Sequence, residues 1–181
     1  MRKYFLVTLI LFMFTACSRE PVPPTQTVTG FIDAVMNWDY EAARGFITGD
    51  SPIPIFEIEE EYRNAFTLII YTDTVETIEN GSASVSLSLH TVDFAALMEE
   101  IMVEAFDYIF QEISTYQLSD IINSMLLERI NAGDAPSAYR ELTAYLELHD
   151  DIWKISPNYE FYDALTGGLL SFTDYAREAL Q

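Results

Sequence analysis

From Ser82 to Leu89 the chain reads Ser-Ala-Ser-Val-Ser-Leu-Ser-Leu, with an apolar residue at every second position and no interruption. Side chains on an extended strand point alternately to opposite faces, so this stretch puts Ala83, Val85, Leu87 and Leu89 on one face and serines on the other. On a helix the same residues would be scattered around the axis and no face could be buried. The stretch is therefore a half-buried antiparallel strand, and its Ser face must lie against water, a pocket or a layer of side chains. Glu79-Asn80-Gly81, just before it, is a hairpin signal, because Asn and Gly tolerate the two positive φ angles of a tight turn. The Ile, Thr, Val and Tyr of residues 65–78 supply the partner strand.

Such a sheet needs a cover, and the rest of the chain offers helices. Val28, Phe31, Ile32 and Val35 recur at helical spacing within Thr25 to Trp38. A short second helix is expected from Tyr40 to Ile47, stopped by Gly49, and Pro52 and Pro54 then force a loop. Residues 56–64 read as a third helix with an acidic face of Glu57, Glu59, Glu60 and Glu61. From Asp93 onward, Phe94, Leu97, Met98, Ile101, Met102 and Ala105 form a wide apolar stripe on a helix of about five or six turns. Ser119 is the expected N-cap of a following helix that ends at Gly133, and the two are expected to pack as a hairpin. Alternation returns at Leu142, Ala144, Leu146 and Leu148, followed by an Asp150-Asp151 turn and a short strand at Ile152–Ile155. Tyr159 to Leu165 and Leu169 to Leu180 read as helices broken at Gly167-Gly168. The fold class is α+β: N-terminal helices packed on an antiparallel sheet of about four strands, with a long helical hairpin inserted between strands 2 and 3.

The chain has 181 residues, 50 % of them apolar and 14 % aromatic, which implies a real core despite a net charge of −20. The lone cysteine, Cys17, excludes an intramolecular disulfide framework and a CxxC redox pair. Arg2 and Lys3, the apolar run Tyr4 to Phe14, and Thr15-Ala16 have the layout of an export signal, too short for a spanning helix. Phe14-Thr15-Ala16-Cys17 resembles the lipobox of bacterial lipoproteins. That resemblance implies cleavage before Cys17, a diacylglyceryl group on its thiol, and attachment to the extracytoplasmic face of the cell membrane. Residues 1–16 are then the signal peptide, 17–24 the lipidated N-terminus and a Pro-rich linker, and 25–181 a single domain. Cleavage removes Arg2 and Lys3 from the nine basic residues and none of the 29 acidic ones, which leaves −22 on the mature chain. That balance excludes nucleic acid as a partner.

Val28-Thr29-Gly30-Phe31-Ile32-Asp33-Ala34, Trp38-Asp39-Tyr40-Glu41-Ala42-Ala43, Thr91-Val92-Asp93-Phe94, Trp153-Lys154-Ile155 and Asp163-Ala164-Leu165-Thr166-Gly167-Gly168-Leu169 together resemble the nuclear-transport-factor-2-like, or cystatin-like, domains of uncharacterised lipoproteins of Gram-positive bacteria. The resemblance implies two N-terminal helices lying across a strongly curved sheet, forming a cone with an apolar interior. The helical hairpin at about residues 92–132 departs from the compact members. Enzymes on that fold, of the isomerase, dehydratase or cyclase type, use a carboxylate or His in the cone with a Tyr donor.

The residues that could do such work here are few. His90 and His149 each close an alternating strand, with Asp93 three residues after the first and Asp150 and Asp151 directly after the second. If those strand ends met, His90, Asp93, His149 and Asp151 could bind a divalent metal or form a proton-transfer pair. The simpler reading makes them solvated strand ends, with Asp93 capping a helix and Asp150-Asp151 making a turn. No phosphate-binding, dinucleotide, zinc-protease, nucleophile-elbow or calcium-loop motif is present, so no cofactor is expected. Tyr71, Tyr108, Tyr116, Tyr139, Tyr145, Tyr159 and Tyr162 suit a pocket wall or an interface as well as plain packing. Three functions remain open: a non-catalytic module binding a protein, a peptide or a small apolar ligand; an enzyme in the cone; and a chaperone-like helper, which would expose a large apolar patch on the hairpin.

Overall fold

The computed structural model describes residues 21–49, 52–67, 69–109 and 115–179. The expected signal peptide and Cys17 lie outside the described residues.

Four strands, β1 (Ile70–Glu79), β2 (Ser82–Val92), β3 (Ser137–His149) and β4 (Ile152–Ile155), form one antiparallel sheet in the order β1-β2-β3-β4. Both short hairpins turn on two residues of positive φ: Asn80 and Gly81 between β1 and β2, Asp150 and Asp151 between β3 and β4. The register sets Val85 against Ala144 and Leu87 against Leu142, so their apolar sides share one buried face with Leu146, Trp153 and Ile155. On the opposite face the serines lie among Thr143, Tyr145 and Glu141 of β3, and Ser86 Oγ and Thr143 Oγ1 are 3.0 Å apart.

Helix α1 (Pro24–Met36) lays Val28, Phe31, Ile32 and Val35 on the buried face, and α2 (Tyr40–Phe46) follows directly. Proline is tolerated at the first turn of a helix, where its missing N–H costs nothing, and Pro24 opens α1. Phe161 of α5 (Tyr159–Leu165) meets Phe31 at 5.5 Å and closes the same core. Both edges of the sheet are protected. Thr48 donates its N–H to Ile155 O (2.8 Å) beside β4, while β1 carries a bulge between Thr72 and Val75 in which Asp73 has positive φ.

Between β2 and β3 come helix α3 (Phe94–Ile109) and then α4 (Thr115–Ala132). Arg129 of α4 pairs with Glu100 and Glu104 of α3. The turn that would make them one hairpin falls on residues 110–114, outside the described residues, so the inserted hairpin itself is not established. The described part of helix α4 already includes Thr115, which places Ser119 inside the helix rather than at its cap. A larger correction concerns residues 56–64. The expected helix is two 3-10 turns, Pro54–Glu57 and Glu60–Phe66, separated by Ile58 in extended conformation. The acidic run disfavours one continuous helix by self-repulsion, and burying both Ile55 and Phe66 favours the break. The same arrangement moves Ala65 and Phe66 out of the expected strand, which begins at Ile70.

The Gly167-Gly168 break joins α5 to α6 (Leu169–Ala179) and is a packing device as much as a turn. Gly168 N–H donates to Asp163 O (2.8 Å) and Gly167 N–H to Ala164 O (3.2 Å), closing the end of α5. A Cβ on Gly167 would lie 1.9 Å from Val92 O, so only glycine lets this turn touch the β2–α3 junction. There the Phe94 N–H donates to Gly167 O (3.1 Å).

Candidate functional site

The four residues singled out for acid-base or metal chemistry do not meet. His90 pairs in register with Tyr139, near the start of β3, whereas His149 ends the same strand ten positions later. At about 3.3 Å per residue this separates them by roughly 30 Å, far beyond any shared ligand. Asp93 is committed elsewhere. It accepts from the Ala96 N–H (3.2 Å) at the start of α3 and pairs with Arg140 (3.1 Å). His149 lies 3.2 Å from Glu147, and Asp151 is a turn residue with positive φ. No group of three or more metal-ligating side chains exists among the described residues. The metal and proton-transfer reading of His90, Asp93, His149 and Asp151 is overturned by the length of β3. Cys17 lies outside the described residues.

Among the described residues, no carboxylate or His is buried in the core. The space between sheet and helices is filled by Val28, Phe31, Leu87, Leu142, Phe161 and their neighbours. The buried polar residues among those described are Thr27, Ser88, Thr91 and Thr166, and Thr166 donates its hydroxyl to Tyr162 O.

A distinct site forms at the junction of α1, α2 and the two 3-10 turns. Helix α1 closes with Trp38 N–H donating to Val35 O (3.0 Å) and Asp39 N–H to Ala34 O (2.9 Å), an ending that requires a left-handed residue between them. That residue is Trp38, at φ 55, where glycine is the ordinary choice. Its large side chain makes the conformation worth noting, because bulky residues at positive φ cost about 1–2 kcal/mol. Asp39 then caps α2 by accepting from the Ala42 N–H (2.9 Å), and this orients Tyr40 in the first turn.

The turn pulls Trp38 against Phe56 (ring centroids 5.6 Å, edge to face) and Phe66 (6.4 Å). Tyr40 meets Phe56 edge to face at 5.4 Å. Arg63 stacks over the Trp38 ring with its guanidinium carbon 4.7 Å from the centroid. Trp38, Tyr40, Phe56, Glu57 and Arg63, with Pro52 and Ile53, line a cavity of about 370 Å³. A volume of that size fits a small ligand. Trp38 Nε1 and Arg63 Nε, on two of the lining residues, are shielded from water and have no acceptor. A buried donor left without an acceptor costs about 1–3 kcal/mol.

Sequence reasoning noticed Trp38 and Tyr40 only as part of a family pattern, and Phe56 and Arg63 only as members of an acidic segment. The usable signal was a tryptophan in the slot just beyond the end of an amphipathic helix, where glycine is expected. Compared with protein-family models, with curated proteins and with solved structures, the chain matches none.

Proposed function

We propose that this protein is a lipid-anchored module on the extracytoplasmic face of a bacterial membrane, and that it binds a small ligand without transforming it. Cys17 carries the anchor, the Pro-rich linker spaces the domain from the bilayer, and the acidic surface keeps it off the lipid headgroups. The observation that carries the binding reading is the cavity of about 370 Å³ walled by Trp38, Tyr40, Phe56 and Arg63. Three aromatic rings offer apolar contact, while the charge of the half-buried Arg63 guanidinium offers orientation. A nuclear-transport-factor-2-like relationship belongs to the same proposal, supported by helices stacked on one face of a four-stranded antiparallel sheet. The enzyme alternative would need a carboxylate or His facing the core, and the described residues put none there.

The chain has two tryptophans, and Trp153 is buried in the sheet core, so the two indole N–H signals report separately. A fragment library is titrated into the full-length chain while both signals are followed by NMR. Binding fragments are expected to move the Trp38 signal, to leave that of Trp153 in place, and to lose affinity in Tyr40→Ala. A library in which no fragment moves Trp38, or in which hits are indifferent to Tyr40→Ala, overturns the proposal.

A further inference from the structure

We propose that the Trp38 cavity takes a small monocarboxylate carried on an apolar ring; this rests on the ligand-binding reading of the cavity and adds the chemistry of its ligand. The first argument is a charge without a counter-charge. Acidic residues outnumber basic ones 29 to 9, and three arginines use them: Arg129 with Glu100 and Glu104, Arg140 with Asp93, Arg177 with Asp174. Arg63 has no carboxylate within ion-pair distance among the described residues, although it is half-buried against the Trp38 ring. In so acidic a chain, a guanidinium unpaired at a cavity wall is a free anion site, because its planar fork suits the two oxygens of a carboxylate.

The second argument is shape: Trp38, Tyr40 and Phe56 line the cavity of about 370 Å³ with aromatic surface, which suits an apolar ring. Net charge chooses among anions. A phosphate or any polyanion would pay the repulsion of the acidic domain more than once, whereas a monocarboxylate meets it once and has Arg63 to offset it. Glu57 also lines the cavity, but it is exposed, so water and salt screen it.

The test compares 3-phenylpropionate with 3-phenylpropionamide, which share ring and length and differ only in charge. Both are titrated into the full-length wild-type chain by calorimetry, with the indole N–H signals locating the site. The acid is expected to bind at least about tenfold more tightly than the amide and to move Trp38 rather than Trp153. Arg63→Gln is expected to weaken the acid more than the amide and so to bring the two affinities together. Equal affinities of the two probes for the wild type overturn the carboxylate assignment. If neither probe moves Trp38 while other fragments do, the carboxylate assignment falls and the cavity survives as a binding site; if no fragment does, both fall. The acid-to-amide comparison uses wild-type protein alone, so it decides the matter even if Arg63→Gln does not fold.

Discussion

Trp38 is the residue on which local backbone and binding surface meet. Its φ of 55 satisfies the end of α1, while its ring supports Phe56, Phe66 and the Arg63 guanidinium. Two energies therefore oppose each other there: left-handed strain of about 1–2 kcal/mol and a larger aromatic contact that offsets it. Substitution separates them. Trp38→Ala loses the ring and keeps the strain, whereas Trp38→Gly loses the ring and releases the strain. In urea denaturation both variants should be less stable than wild type, Trp38→Ala by about 2 kcal/mol and Trp38→Gly by about 1 kcal/mol. At most positions alanine is the more stable of the two, so the reversed order is diagnostic. An alanine variant equal to or above the glycine variant would refute the account of how α1 ends. In the sequence only a tryptophan just beyond the end of an amphipathic helix hints at this site, because the strain exists only once Met36, Asn37 and Trp38 have formed the turn.

Elements were legible where local pattern and local energy agree. The Ser82–Leu89 alternation, the Asn80-Gly81 and Asp150-Asp151 turns and the Gly167-Gly168 break all lie where the residues put them, since each is decided by a few neighbours. The 3-10 turns at Pro54–Glu57 and Glu60–Phe66 were not legible, because burial of Ile55 and Phe66 against distant helices decides them. The His-acid foursome failed for a similar reason: periodicity locates a strand end but does not say which strand ends meet. Packing of α6 on α5 gives a pH-dependent prediction. Tyr159 donates its hydroxyl to Asp174 Oδ2 (2.8 Å), and partial desolvation together with that bond pushes the phenol up to about 12. Burial also raises Tyr62, Tyr71 and Tyr162. A folded-state value above the unfolded one means that the contribution is complete below about pH 10 and is lost as pH rises towards 12. Thermal midpoints of wild type should exceed those of Tyr159→Phe by a constant margin below pH 10, and the margin should shrink between pH 10 and 12. A margin that stays constant to pH 12 would remove the hydrogen bond as its cause.

On the scale of the whole molecule the governing quantity is charge. With 29 acidic residues and nine basic, two of them Arg2 and Lys3, residues 25–181 carry no basic cluster to hold them on an anionic bilayer, where each Lys or Arg contributes about 1 kcal/mol. No helix among the described residues is long and apolar enough to cross a membrane. Under the proposed function, attachment then depends on acyl chains at Cys17, each methylene contributing about 0.8 kcal/mol. The two modes respond oppositely to salt. Electrostatic adhesion weakens as the Debye length shrinks from about 10 Å at 0.1 M to about 3 Å at 1 M, while a lipid anchor holds and the repulsion of the acidic domain is relieved. Wild-type protein should therefore remain in the membrane fraction through a 1 M salt wash. Its intact mass should lack residues 1–16 and carry an added diacylglyceryl group. Cys17→Ala should carry no lipid mass whether or not its leader is removed, so the assignment rests on mass and not on fractionation alone. Wild-type protein without added lipid would remove the anchor, and with it the proposed attachment of so acidic a domain to a membrane.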